Sequence, residues 1–239
     1  MAAWFRRRRP LGEAPRLTPR GESTSKRDRV DLADLTPELL PYLGQVAYLQ
    51  LAVFEALARG VAGTEDLADK EAISAAAGTA LAKHHAVVAE LRRRDVEPSE
   101  AMAPFRPAID TFERLTRGAD LHETLLSAYI TAGLLDDFFI RLTGGLPNDV
   151  GPRIAQTLGA DTGVDGLVAI LRREIAADER LGSRLAVWGR RLVGDTLLVA
   201  RSALMGSGNP DSDESRIEPV FTELIASHTR RMDALGLTA

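Results

Sequence analysis

The sequence predicts an all-α protein: a four-helix bundle with additional C-terminal helices. Three observations predict it. Alanine and leucine supply more than a quarter of the 239 residues while aromatics make up 5%, a balance that favours helix over strand. No segment alternates apolar and polar residues over the length of a strand. Long stretches instead repeat apolar residues at helical spacing between recognisable caps.

Taken in order, Thr36-Pro37-Glu38 reads as an N-cap, a proline at the first helical position and an acid on the helix dipole. The first helix then runs to about Gly60, with an apolar stripe of Leu43, Ala47, Leu51, Phe54, Ala58 and Val61. Thr64-Glu65-Asp66 caps a second helix that ends in Arg92-Arg93-Arg94 and places Ile73, Ala77, Ala80, Val87, Val88 and Leu91 on one face. Pro98, Pro104 and Pro107 break the connector, which keeps a helical stretch around 109–115. The helix over 121–142 is apolar on nearly every side and is expected at the centre of the protein. Asn148 caps a fourth helix reaching about 177, in which Gly159, Gly163 and Gly166 predict a kink or a break. A fifth covers 181–205. The linker 206–213 leads to a last amphipathic helix over 216–235.

Three regions follow: a disordered basic arm over 1–35, the bundle over 36–205, and a linker with a C-terminal packing helix over 206–239. Residues 1–30 carry nine basic groups against Glu13, Glu22 and Asp28, a net of +6, so the overall −4 leaves −10 for the rest. A basic arm on an acidic body makes RNA or the ribosome the candidate partner, through Arg6, Arg7, Arg8 and Arg9. Of the 30 basic residues only Lys26, Lys70 and Lys83 are lysines, and a GC-rich genome accounts equally well for the arginines. A homodimer is a further candidate, and no membrane is expected because no apolar run has spanning length. The N-terminus has no apolar core behind its charges, so a cytoplasmic location is expected. The absence of cysteine excludes disulfides, a thiol nucleophile and thiolate metal sites.

A bundle builds its chemistry on inward polar residues. His84 falls close to the centre of the second helix's stripe. Asp136 and Asp137 sit in a third helix otherwise poor in polar groups, where a carboxylate needs a cation, a donor or a proton; an arginine such as Arg141 is one candidate. Asp161 and Asp165 border the face of the fourth helix, and Glu55 borders that of the first. The bland readings are a hydrogen-bonded core histidine, salt-bridged aspartates and a solvated glutamate. No Glu-x-x-His, Gly-x-Gly-x-x-Gly, Walker-type or Gly-x-Ser-x-Gly motif occurs.

The blocks Tyr48-Leu49-Gln50-Leu51-Ala52-Val53-Phe54-Glu55, Ala101-Met102-Ala103-Pro104-Phe105, Ala128-Tyr129-Ile130 and Ala160-Asp161-Thr162-Gly163 resemble those of actinobacterial ferritin-like proteins grouped with the MiaE-like tRNA hydroxylases. So do Arg184 to Gly194 around Trp188, and Ser227-His228-Thr229-Arg230-Arg231-Met232. The resemblance implies a ferritin-like bundle and, by extension, a non-haem di-iron hydroxylase acting on a modified tRNA adenosine. It also implies a ligand pattern. Glu55, His84 and Asp161 match it and Asp137 matches an acid of the family, which makes these four the candidate metal residues. Leu81, Ala132 and Val164 stand at the other ligand positions. The expectation is a degenerate di-iron site without a cofactor, in a non-catalytic binding or scaffold protein. Its alternatives are an iron-dependent oxidoreductase or hydroxylase on modified tRNA or a small molecule, and a small-molecule binder that uses the bundle interior.

Overall fold

Side chains cap two of the long helices, the first of them at the anticipated Asp66. The Asp66 carboxylate accepts from the amides of Ala68 and Asp69, both at 2.9 Å. Asp120 accepts from the amide of Glu123 at 2.9 Å, and the Glu123 side chain reaches back to the amide of Ala119, the residue before the cap, at 2.8 Å. In the computed structural model, which describes residues 36–160, 163–205 and 214–239 with side chains omitted over 202–219, these helices fall in the following order. They are α1 (Leu39–Gly63), α2 (Leu67–Arg92), α3 (Pro98–Met102), α4 (Arg106–Thr116), α5 (Leu121–Leu142), α6 (Gly151–Leu158), α7 (Val164–Ala177), α8 (Glu179–Met205) and α9 (Glu214–Ala234). No strand occurs among the described residues. The arm with Arg6, Arg7, Arg8 and Arg9, the residue Asp161 and the linker 206–213 lie outside them.

Residues 31–239 form one compact unit. The antiparallel pair α1 and α2 packs with α5 and α7 into the four-helix bundle, and α8 and α9 cover the outer side of α5. Helix α5 touches α1, α6, α7, α8 and α9, and Leu125, Leu126, Ile130, Phe138 and Leu142 on it are completely buried. It is the centre that its all-round apolar sequence predicts. Helix α1 alone among the described helices is long and apolar enough to cross a membrane, and it lies along α2 and α5.

Three local expectations are corrected. Helix α1 begins three residues after Thr36 and has no side-chain cap; the Thr36 hydroxyl donates instead to the Leu142 carbonyl at 2.6 Å, tying the chain to the end of α5. The helix also runs through Gly60 to Gly63, because Gly60 packs inward beside Ile73 and Leu125. Asn148 caps nothing: it lies in a turn, and α6 begins at Gly151 without a side-chain cap. The predicted break is present, and Gly163 opens α7 with φ +62°, a left-handed conformation that suits glycine.

Beyond its first turns, the buried face of α1 is rotated from the predicted stripe. Leu43 and Ala47 are completely buried as the stripe predicts, but further along Gln50, Leu57 and Gly60 are buried, whereas Leu51, Phe54, Ala58 and Val61 are only half-buried. Gln50 therefore points into the bundle and Glu55 points away from it.

Candidate functional site: a buried ion pair and cavity inside the bundle

Successive turns of α2 present Ala76, Ala80, Lys83 and Val87 to the interior. A lysine there needs its charge matched, since an unpaired ammonium in low dielectric is strongly disfavoured. Lys83 is 4% exposed, and its Nζ donates to Asp136 Oδ2 at 2.7 Å and to the Leu158 carbonyl at 2.8 Å. Gln50 Nε2 donates to Asp136 Oδ1 at 2.6 Å. One network thus ties α1, α2, α5 and the end of α6 together. Burial pushes the Asp136 carboxyl above its ordinary range, and the Lys83 ammonium and Gln50 amide oppose that rise. Asp136 pairs with Lys83, not Arg141; Arg141 pairs with Glu223 on α9.

Beside this pair lies a cavity of about 90 Å3. Gln50, Val53 and Leu57 come from α1, Thr79 and Lys83 from α2, Tyr129, Ala132, Gly133 and Asp136 from α5, and Val164 and Leu167 from α7. Arg231 enters from α9. It donates to Asp137 Oδ2 at 3.0 Å and lies over Gly133, where a Cβ would collide with the guanidinium.

The three described candidate metal residues, Glu55, His84 and Asp137, have separate surroundings. Glu55 is exposed, in a charged surface groove with Arg59, Arg106 and the hydrogen-bonded pair Tyr48–Asp110. His84 is buried with Nδ1 2.9 Å from the Ala47 carbonyl. Asp137 is half-buried on Arg231. Asp161 lies outside the described residues, and among those described no three His, Asp or Glu side chains converge to hold a metal ion. Of the remaining predicted positions, Ala132 and Val164 line the cavity, while Leu81 does not.

The motif blocks acquire structural roles. Around Trp188, Arg184 binds Glu123 at 2.6 Å and Asp120 at 2.6 Å, the indole donates to Ser127 at 2.8 Å, and Gly189 lets Met232 approach. These contacts dock α8 and α9 onto α5.

A family model for the ferritin-like domain of actinomycetes matches residues 36–206. The chain belongs to this family. The ferritin-like domain so defined contains the Lys83–Asp136 pair, whereas Arg231 on α9 lies beyond the matched residues. No curated protein matches the chain.

Gln50, Lys83, Tyr129 and Arg231 are the residues that sequence reasoning missed as a site. One signal was present: Lys83 is a rare lysine in an arginine-rich chain, in step with Ala76, Ala80 and Val87 on a buried face. A flexible stem ending in a compact charge suits such a place better than a planar guanidinium does.

Proposed function

We propose that this ferritin-like domain is a non-catalytic binding or scaffold protein whose interior is held by an organic ion pair where di-iron relatives hold metal. The observation that carries the reading is the Lys83 ammonium on Asp136, with both side chains buried. A di-iron bundle of this fold takes a Glu from each of two helices and Glu-x-x-His from each of two more, all directed inward. The inward polar side chains around the pair are Gln50, Lys83 and Asp136, with a single carboxylate among them. An ammonium has donors and no lone pair, so it cannot be a ligand, and its charge repels a cation from the carboxylate it occupies. This donor set does not fit a pair of irons, and no oxygen-activating step is derived from it.

The arm supplies the partner in this reading: its Arg6, Arg7, Arg8 and Arg9 contact RNA or ribosomal RNA, supported by the net +6 of residues 1–30 against −10 elsewhere. Full-length protein is expected to bind RNA more tightly than the chain lacking 1–35, with affinity falling steeply as salt rises. Equal binding by both forms removes the arm from the account. Anaerobic iron loading tests the interior: substoichiometric iron without spectroscopic coupling is expected. Uptake of about two irons per chain, lost on His84→Ala, would restore the hydroxylase.

A further inference from the structure

We propose that a surface groove between the start of α1, α4 and α8 binds a small organic ammonium, its apolar body on the groove walls and its N–H donors on Asp195 and Gln45. The groove shares no residue with the interior cavity and does not depend on the ion-pair reading. Its volume is about 440 Å3, within the range of roughly 300–1,000 Å3 for small-molecule sites, which combine apolar walls with a few placed polar groups. Pro41 supplies one wall, Phe105, Ile109 and Phe112 another, and Leu115 and Leu198 complete it. Leu115 on α4 is 46% exposed and Leu198 on α8 is 63% exposed. Single exposed leucines are ordinary, but large apolar side chains gathered on one depression mark a binding surface.

The polar lining decides the class of guest. Asp195 Oδ2 is buried and accepts no hydrogen bond among the described residues. Its ion-pair partner, Arg191 Nε one turn earlier, stands at 3.7 Å, beyond hydrogen-bond reach. The Arg191 guanidinium is largely exposed and lies 5.2 Å from the centre of the Trp188 ring, so this is a weak surface pair. Gln45 is 6% exposed, lines the groove, and its amide bonds to no described residue. Thr111, the third polar residue of the lining, is committed: it donates to the Pro107 carbonyl and accepts from Arg114, both at 2.8 Å.

A covered carboxylate oxygen without a donor is unfavourable. The terminal torsion of an aspartate is soft, so a small turn presents either oxygen to a guest in the groove. An ammonium has donors and no acceptor, and its bond to a carboxylate belongs to the stronger, charge-assisted class. The Gln45 carbonyl offers it a second acceptor. An anion would be repelled by Asp195, and a neutral hydrocarbon would leave the carboxylate unmet.

The test is titration of the full chain with benzylamine, benzyl alcohol and benzoate, three guests of one shape and different charge, at constant ionic strength. The amide resonances of Ala108 and Leu198, which line the groove, are followed. Saturable shifts are expected with benzylamine, at an affinity at least about tenfold above that of the alcohol, the scale of one charge-assisted bond; benzoate should bind weakest. Asp195→Asn keeps the shape and removes the charge, and should bring benzylamine down to the affinity of the alcohol. Arg191→Gln removes the competing cation and should tighten benzylamine several-fold. Leu198→Ser, at an exposed position, should weaken amine and alcohol alike. No saturable shift with benzylamine, equal affinity for amine and alcohol, or a preference that survives Asp195→Asn overturns the proposal. Shifts of the same resonances with protein concentration alone would assign the groove to a second copy of the chain and overturn it as well.

Discussion

Lys83 is the residue on which the interior depends. Removing one member of a buried pair leaves the other charged and unmatched, which destabilises by about 3–5 kcal/mol, whereas replacing both with apolar groups is often close to neutral. Lys83→Met should therefore lower the unfolding free energy by roughly that amount, and Lys83→Met with Asp136→Leu should recover most of it, as read from urea denaturation. Additive losses would mean that the two residues do not act as a pair. His228 gives a second prediction. It is 3% exposed, both ring nitrogens lack partners among the described residues, and burial first and Arg231 second hold its pKa below the ordinary histidine value. His228 lines a groove together with Arg190 of α8 and Asp233 of α9. The unfolded chain protonates this histidine near pH 6.5 and the folded chain only at lower pH, so stability falls as pH drops below about 6.5. His228→Leu should flatten that limb when urea midpoints are compared at neutral and mildly acidic pH. Glu90 adds a separate limb: Arg153, Arg94 and Arg93 lower its pKa to about 2 against its burial, so its contribution is present above the ordinary glutamate range and is lost as pH falls toward about 2. At this scale the sequence was least legible. His84 and Asp137 were found as polar groups in apolar helices, but they bind a carbonyl and an arginine. Lys83 escaped notice because a lysine is not a metal ligand.

Helices meet here where a missing side chain allows it. A Cβ on Gly44 would collide with the Ala101 carbonyl, so the crossing of α1 and α3 requires glycine. Gly78 on α2 has open space around it. Gly44→Ala should destabilise by about 1–3 kcal/mol, the range for overpacking, and Gly78→Ala should stabilise by about 1 kcal/mol through helix propensity. Thermal unfolding of the two variants checks both signs. The span of α5 was readable because apolar residues fill it on nearly all sides. The face of α1 was not, because Leu49, Leu51, Val53, Phe54 and Leu57 surround that helix and leave its periodicity weak. With Gln50 set aside as polar, the stripe held at Leu43 and Ala47 but then fell on half-buried residues, and Glu55 was drawn toward a core that it does not reach.

As a whole, residues 31–239 carry the packed core and the acidic charge. Deleting 1–35 is expected to change the unfolding free energy by less than about 1 kcal/mol, the scale of ordinary surface changes, measured by urea denaturation. The fold class was legible from composition and caps because helical preference and burial agree along most of the chain. The interior was not, because the same bundle can be closed by metal or by an ion pair, and only the inward register of Gln50, Lys83 and Asp136 distinguishes them. The most direct measurement is the Tm of the full chain after anaerobic iron loading and after chelation. A bundle closed by Lys83 and Asp136 has the same Tm in both states. A ligand that binds only the folded chain adds about 2.7 kcal/mol at a hundredfold excess over its Kd, so a Tm raised by several degrees with iron and lost with chelator would contradict the ion-pair account.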